Sequence, residues 1–206
     1  MRGYASFLLE LLEREAPLRV LAAFDESLGS CFRNEIYAQY KSSRVLPDEA
    51  LAFQLEACRR FTRLLGISSV ASNRYEADDL LAAAAMQAQA CGMSSVVLSR
   101  DKDLGQLLQA DGDLLWDFPA GGQIGREAYQ ARHGIRPEQV PDLLALTGDA
   151  IDDIPGVPGI GIKTATALLQ DYPDIESMLA ATGEIAGSGR RGAARTAAAL
   201  VSHAAQ

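Results

Sequence analysis

The chain has 206 residues, 48% of them apolar and 22% charged. That is enough for one sizeable core with a smaller appendage, and it excludes a wholly disordered polymer. No apolar run approaches the ~20 residues of a membrane span, and the amphipathic start MRGYASFLLELLEREAP lacks the apolar core and small-residue cleavage site of a secretory signal.

Apolar residues at helical spacing (Phe7, Leu8, Leu11, Leu12) predict a helix over 4–15, stopped by Pro17. LRVLAAF (18–24) is a short continuous apolar run and reads as a buried strand with Asp25 at its C-terminal end. Residues 27–47 are more polar and mix basic with aromatic residues. A helical pattern returns from Asp48 to Leu65, ISSVAS (67–72) reads as a second strand, and 76–91 as a helix ended by Gly92. SSVVLS (94–99) reads as a third strand, followed by Arg100-Asp101-Lys102-Asp103, a short helix and the strand DLLWDF (113–118). This alternation predicts a parallel sheet with helices on its faces. From about Ile135 strand signals vanish. PEQVPDLLALTGD reads as helical, and GDAIDDIPGVPGIGIKTATALLQDY is a Gly/Pro-rich turn opening into another helix. The tail holds a basic Gly/Arg patch and a weak Ala-rich helix, and no internal repeat is evident.

The three cysteines (Cys31, Cys58, Cys91) are scattered, and His133 and His203 lie far apart. A zinc site or disulfide framework does not fit that spacing, and a reducing cytosol does. The net charge of −8, taken alone, argues against a nucleic-acid binder. Placement matters more than the sum. Only three of nineteen basic residues are lysine, and Lys41, Lys102 and Lys163 all fall inside segments that carry other chemical signals.

YEADDLL (75–81) places Glu76, Asp78 and Asp79 at the start of an apolar helix. Ligand sites in a parallel α/β sheet form outside the C-terminal strand ends. Asp25 follows the first strand there, and Asp101 and Asp103 follow the third. Singly, each acid has an ordinary explanation as a helix-start or turn residue. Three clusters on one edge repel one another and require a cation. With oxygen donors and no His or Cys partner, the match is Mg²⁺ or Mn²⁺. GDAIDDIPG (148–156) adds Asp149 and Asp152, enough acids for two ions in a phosphoryl-transfer site. In GVPGIGIKTATALL, Gly159 and Gly161 allow close backbone approach to a phosphate. The following helix offers N–H groups, and Lys163 and Thr164 add a charge and a hydroxyl.

The ordered set FD (24–25), FRNEIYAQYKSSR (32–44), YEADDLL, SRDKDL (99–104) and GDAIDDIPGVPGIGIKTA (148–165) resembles the bacterial 5′-nuclease family. Its members are the 5′→3′ exonuclease/flap endonuclease domain at the start of DNA polymerase I and short stand-alone proteins. The match spans about residues 4–182. It implies a PIN-like (Rossmann-like) parallel sheet over 1–134, with a helical arch at about 27–47, and a helix–three-turn–helix DNA-binding unit over 135–206. It also implies that Asp25, Glu76, Asp78 and Asp79 hold a first metal, that Asp101 and Asp103 lie between two metals, and that Asp149 and Asp152 hold the second. Arg33, Lys41 and Arg44 fall on the arch beside the scissile phosphate. Gly156, Gly159, Gly161, Lys163 and Thr164 fall at the duplex contact, and the carbonyls of Val157 and Ile160 at a K⁺ site.

The resemblance departs at the start. Family members open with a strand ending in an Asp that serves the first metal, and nothing like it precedes MRGYASFLLELL. A fragment or a start assigned too far downstream is the expectation, a degenerate member the alternative, with a weakened first site. The implied activity is structure-specific 5′ nuclease action on DNA with a 5′ flap or a 5′ single-stranded end. It would belong to replication and repair, in the bacterial cytoplasm, by a monomer working beside a separate DNA polymerase. The competing readings are a DNA-structure-binding relative without catalysis and a PIN-type ribonuclease.

Overall fold

The computed structural model describes residues 1–26, 29, 31–119 and 121–204. Helix α1 (Arg2–Glu15) buries Leu8 and Leu11, and Ala16 ends it in the left-handed region at φ 40°, its N–H donating to the Leu12 carbonyl. Strand β1 is Leu21–Asp25. Leu18 is fully exposed, so the strand starts three residues later than its apolar run suggested. Of the predicted arch, α2 (Phe32–Ile36) is helical, and residues 38–43 are turns. Ser27, Leu28 and Ser30 of that segment lie outside the described residues.

Helix α3 (Glu49–Leu64) is capped by Asp48, whose side chain accepts from the Leu51 N–H at 2.8 Å. Strand β2 (Ser68–Ser72) pairs with β1 in parallel, with Asp25 opposite Ser72. Helix α4 (Ala77–Ala90) follows, and Gly92, at φ 71°, turns the chain out of it. Strands β3 (Val96–Leu98) and β4 (Leu114–Trp116) are parallel, and β5 (Gln123–Ile124) returns antiparallel to β4. A short 3₁₀ helix, Lys102–Leu107, links β3 to β4.

The strands therefore form not one sheet but two, β1–β2 and β3–β4–β5. No residue of β1 or β2 is fully buried, although the β1 run reads as a buried strand. The main core lies elsewhere. It runs without a break from Val97, Leu104 and Leu115 through Tyr129, Val140 and Leu146 to Leu169, Met178 and Leu200. A small second cluster, Leu11, Trp116 and Phe118, joins α1 to β4.

Helices α5 (Arg126–His133) and α6 (Val140–Thr147) lead into a two-stranded ribbon, β6 (Gly148–Asp149) with β7 (Ile154–Pro155). Two-residue strands carry no periodicity, so neither this ribbon nor β5 was legible beforehand. Helices α7 (Ile162–Asp171), α8 (Ile175–Ala180), α9 (Thr182–Gly187) and α10 (Ala193–Ser202) complete the chain. No helix among the described residues is long and apolar enough to cross a membrane.

Candidate active site

Strand β1 and the first turn of α4 meet through Asp25. Its Oδ1 accepts from the Ala77 N–H at 2.6 Å, a free donor of the helix start. Within α4, Oδ2 of Asp79 reaches back to the Glu76 N–H at 2.9 Å. This pair of contacts fixes Glu76, Asp78 and Asp79 at the end of β1. The Asp78 carboxyl is pushed up to about 6 by its protein surroundings and by the charges of Asp101, Asp25 and Glu76. Its side chain is open to solvent.

The arch segment lies over these acids. Arg33 forks onto Asp79, with Nη1–Oδ2 at 2.8 Å and Nη2–Oδ1 at 2.7 Å, and Nη1 also reaches Glu76 at 3.2 Å. Lys41 Nζ lies 2.7 Å from Glu76 Oε1 and 3.5 Å from Asp152 Oδ1. The buried Tyr40 hydroxyl stands 2.7 Å from Glu76 Oε2 and 3.1 Å from Asp152 Oδ2. Asp152, from the β6–β7 loop, is thereby brought to the first cluster. The two loops are stitched further by Lys41 N–H to the Asp152 carbonyl, 2.9 Å, and by Ser43 N–H and Oγ to Asp153, 2.8 and 3.0 Å. Lys41 (φ 52°) and Asp153 (φ 57°) both adopt the left-handed backbone at this junction, a strain of ~1–3 kcal/mol each.

Electrostatics follow from these contacts. Burial opposes the charge on Glu76, but Lys41, Tyr40 and Arg33 outweigh it and hold the carboxyl below its usual range. Asp79 is likewise lowered, with the Arg33 fork overcoming burial. Burial and the Glu76 hydrogen bond raise the Tyr40 hydroxyl, so it stays a donor.

Asp101 caps the 3₁₀ helix, its Oδ1 accepting from the Asp103 N–H at 2.8 Å, and its charge bears on Asp78. Asp103 pairs with Lys102 at 2.6 Å. Asp149 closes its own loop by accepting from the N–H groups of Ile151 at 2.8 Å and Asp152 at 3.4 Å. Thus Asp25, Glu76, Asp78 and Asp101 share one electrostatic site, joined by Asp79 and Asp152 through common cations. Asp103 and Asp149 keep local partners. Among the described residues no three of these groups close on a single ion. Arg33, Lys41 and Tyr40 already engage Glu76, Asp79 and Asp152. The donor set nevertheless fits a hard divalent ion, because Asp78 lies among acids with no cation bonded to it, and every donor is a carboxylate oxygen.

Sequence reasoning passed over Tyr40, Ser43 and Asp153. Tyr40 had a signal, a hydroxylated aromatic immediately before Lys41, but nothing local shows that it is buried against acids from two other segments. Arg44 is exposed and follows Lys41 in the same turn, its N–H donating to the Lys41 carbonyl at 3.1 Å.

In the hairpin, Gly159 holds φ 85° and Gly161 precedes α7, its carbonyl accepting from the Thr164 and Ala165 N–H groups at 3.0 Å. Lys163 is exposed, and Thr164 is half-buried beside it. The Val157 carbonyl accepts from the Ile160 N–H at 3.0 Å, so one of the two carbonyls assigned to K⁺ is already engaged within the turn. A side chain at Gly156 would collide with the backbone of Thr147 and Gly148. Its need for glycine is thus met inside the β6–β7 ribbon, independently of any duplex.

Models of the 5′-3′ exonuclease N-terminal resolvase-like domain and C-terminal SAM fold match residues 1–134 and 135–206. The chain belongs to the 5′-3′ exonuclease family. Among curated relatives, DNA polymerase I of Rhizobium leguminosarum is 37% identical over 191 residues, 89% of this chain and 18% of that one. The chain spans about a fifth of the length of such relatives. Among solved structures, T5 5′-exonuclease with bound divalent metal ions (zinc) aligns with a TM-score of 0.71 at 19% identity, covering 98% of this chain and 90% of that one. A pseudo-enzyme-product complex of the bacteriophage T5 flap endonuclease with DNA and metal ions aligns at 0.68 and 19%, covering 100% and 91%. At those identities the likeness is one of fold.

Proposed function

We propose that this 5′-3′ exonuclease family member is a metal-dependent, structure-specific 5′ nuclease acting on DNA. One observation carries the reading. The charges of Asp25, Glu76 and Asp101 bear on Asp78, and Arg33 and Lys41 of the arch segment bridge Glu76 to Asp79 and Asp152. The unit over 1–134 would hold the chemistry, and that over 135–206 the duplex. Asp25, Glu76, Asp78 and Asp79 would hold one Mg²⁺ or Mn²⁺, with Asp101 and Asp103 between it and a second held by Asp149 and Asp152. Bound divalent ions supply Lewis acidity for phosphodiester hydrolysis.

The chain's own residues do the rest. Lys41, Arg33 and Arg44 are the cations available to a phosphate at the acidic cluster, and the first two must exchange carboxylate for phosphate oxygens when DNA arrives. The fork of Arg33 suits that exchange, since its geometry matches either anion. Tyr40, kept protonated, donates to Glu76 and orients it. Gly159, Gly161, Lys163 and Thr164 would grip duplex backbone without reading sequence, with K⁺ at the turn carbonyls. A 5′ flap or 5′ single-stranded end on duplex DNA is the substrate class, in the cytoplasm, with the chain a monomer and a DNA polymerase its natural partner activity.

The test is incubation of a 5′-flap DNA and its RNA equivalent with and without Mg²⁺. DNA cleavage only with metal is expected. Cleavage of RNA alone would overturn the reading. A second reading, a DNA-structure binder without catalysis, draws on the cations already seated on Glu76, Asp79 and Asp152, and it predicts binding without cleavage.

A further inference from the structure

The tail patch GSGRRGAARTAAAL has so far no role. In the fold it opens a second helix with a similar residue pattern, although Gly192 caps it at φ 81° where Gly161 caps α7 at φ −95°. Gly161-Ile-Lys163-Thr164-Ala165 opens α7, and Gly192-Ala-Ala-Arg195-Thr196-Ala197 opens α10. Aligning Lys163 with Arg195 places Thr164 on Thr196, Ala165 on Ala197 and Leu168 on Leu200. The burial matches at these four positions. Both basic residues are exposed, both threonines half-buried, and both the alanines and the leucines buried. The shared pattern is hidden in the linear sequence because one residue more separates the glycine from the basic position in the second case.

The two helix starts also face one space. A cavity of about 220 Å³ is lined by Lys163 and Thr164 of α7 and by Arg190, Arg191 and Thr196 at the start of α10. Asp171 lies on its wall and is occupied by Arg190 at 2.6 Å. Lys163, Arg191 and Arg195 make no ion pair among the described residues. Arg195 reaches across to the first hairpin, where its Nε and Nη2 lie 3.8 Å from the point a Cβ at Gly159 would occupy. Two helix starts and two uncommitted cations, Lys163 and Arg191, therefore line one hollow, with Arg195 beside it at Gly159, on a chain whose net charge is −8. Helix N-termini and cations together favour an anion. Two such points on neighbouring turns suit a repeating anion better than a single free one.

We propose that the α9–α10 turn, through Arg191, Arg195 and Thr196, is a second phosphate grip for the backbone of duplex DNA, beside the first at Lys163 and Thr164. The inference rests on the DNA-binding reading above and adds a site to it. Two turns hold the duplex at two points, which fixes its direction relative to the acidic cluster as well as its position.

The test is fluorescence anisotropy of the full chain with a labelled 5′-flap duplex and with a single-stranded oligonucleotide, in Ca²⁺, across a salt series. Arg191→Gln/Arg195→Gln should weaken duplex binding on the order of tenfold and lower the slope of log affinity against log salt by ~1–2. Arg191→Lys/Arg195→Lys should restore most of that slope, which a merely structural loss would not allow. Lys163→Gln serves as the control for the first grip. If it lowers the slope and the double variant does not, the second grip is refuted while the DNA-binding reading stands. If the wild-type chain does not bind duplex at all, both fall. A loss confined to the single strand would also refute the duplex assignment.

Discussion

The Lys41 ammonium lies 2.7 Å from Oε1 of Glu76, a residue 35 positions away on another element. The contact places a protein cation on a carboxylate that the proposed metal site needs. Charge on the acids is therefore partly balanced before any ion arrives, and metal entry and arch position share one set of carboxylates.

Lys41→Met should separate these effects. Glu76 is nearly buried, so losing its ammonium partner should cost about 1–3 kcal/mol in the metal-free protein, or a Tm drop of ~2–4 °C per kcal/mol. With one competitor gone, Mn²⁺ should bind several-fold more tightly by titration calorimetry. An unchanged Mn²⁺ affinity would mean that the lysine does not compete with metal.

Asp78→Asn tests the uncompensated carboxylate. Its charge is opposed by Asp25, Glu76 and Asp101, so removing it should hold or modestly raise the Tm of the metal-free protein at pH 7. Divalent affinity should fall at least ~10-fold, since a charged oxygen donor becomes a neutral one. Retained affinity would move the metal away from α4.

Two glycines of the hairpin region should behave oppositely. Gly156→Ala puts a methyl into the Thr147–Gly148 backbone, which cannot step aside, and should destabilise by ~1–3 kcal/mol. Gly161 has open space around it and φ −95°. Gly161→Ala should cost at most ~1 kcal/mol, as a poorer helix cap, yet weaken duplex binding, because the methyl stands where the backbone would approach a phosphate. Equal thermal losses in the two variants would refute this division of roles.

Asp113 sets a pH limit unrelated to the site. Burial opposes its charge, but it accepts from Ser95 N–H (2.8 Å) and Oγ (3.0 Å), Gln109 N–H (3.1 Å) and Ala110 N–H (2.8 Å), which hold the carboxyl below its usual range. A lowered folded value contributes stability above the unfolded carboxylate range of ~4, lost as pH falls through the folded value. Asp113→Asn should cost ~1–3 kcal/mol at pH 7 and flatten the acid limb of a Tm–pH curve. An acid limb as steep as wild type would assign that loss to other carboxylates.

Much of this protein was legible from neighbours a few residues apart. Asp48 announced the start of α3, Glu76 and Asp79 the start of α4, and Gly161 the start of α7, because caps and helical periodicity act over three or four residues. The acids of the β1, α4 and β3 ends followed from one topological rule about strand termini. What only the tertiary structure decided was which charges touch. Tyr40 and Asp152 meet across 112 residues, and Arg33 finds Asp79 across 46. The split into two sheets, the burial of Tyr40 and the reach of Arg195 to Gly159 belong to the same class. None has a local signature, since Coulomb and packing energies depend on distance in space, and the chain reveals only distance along itself.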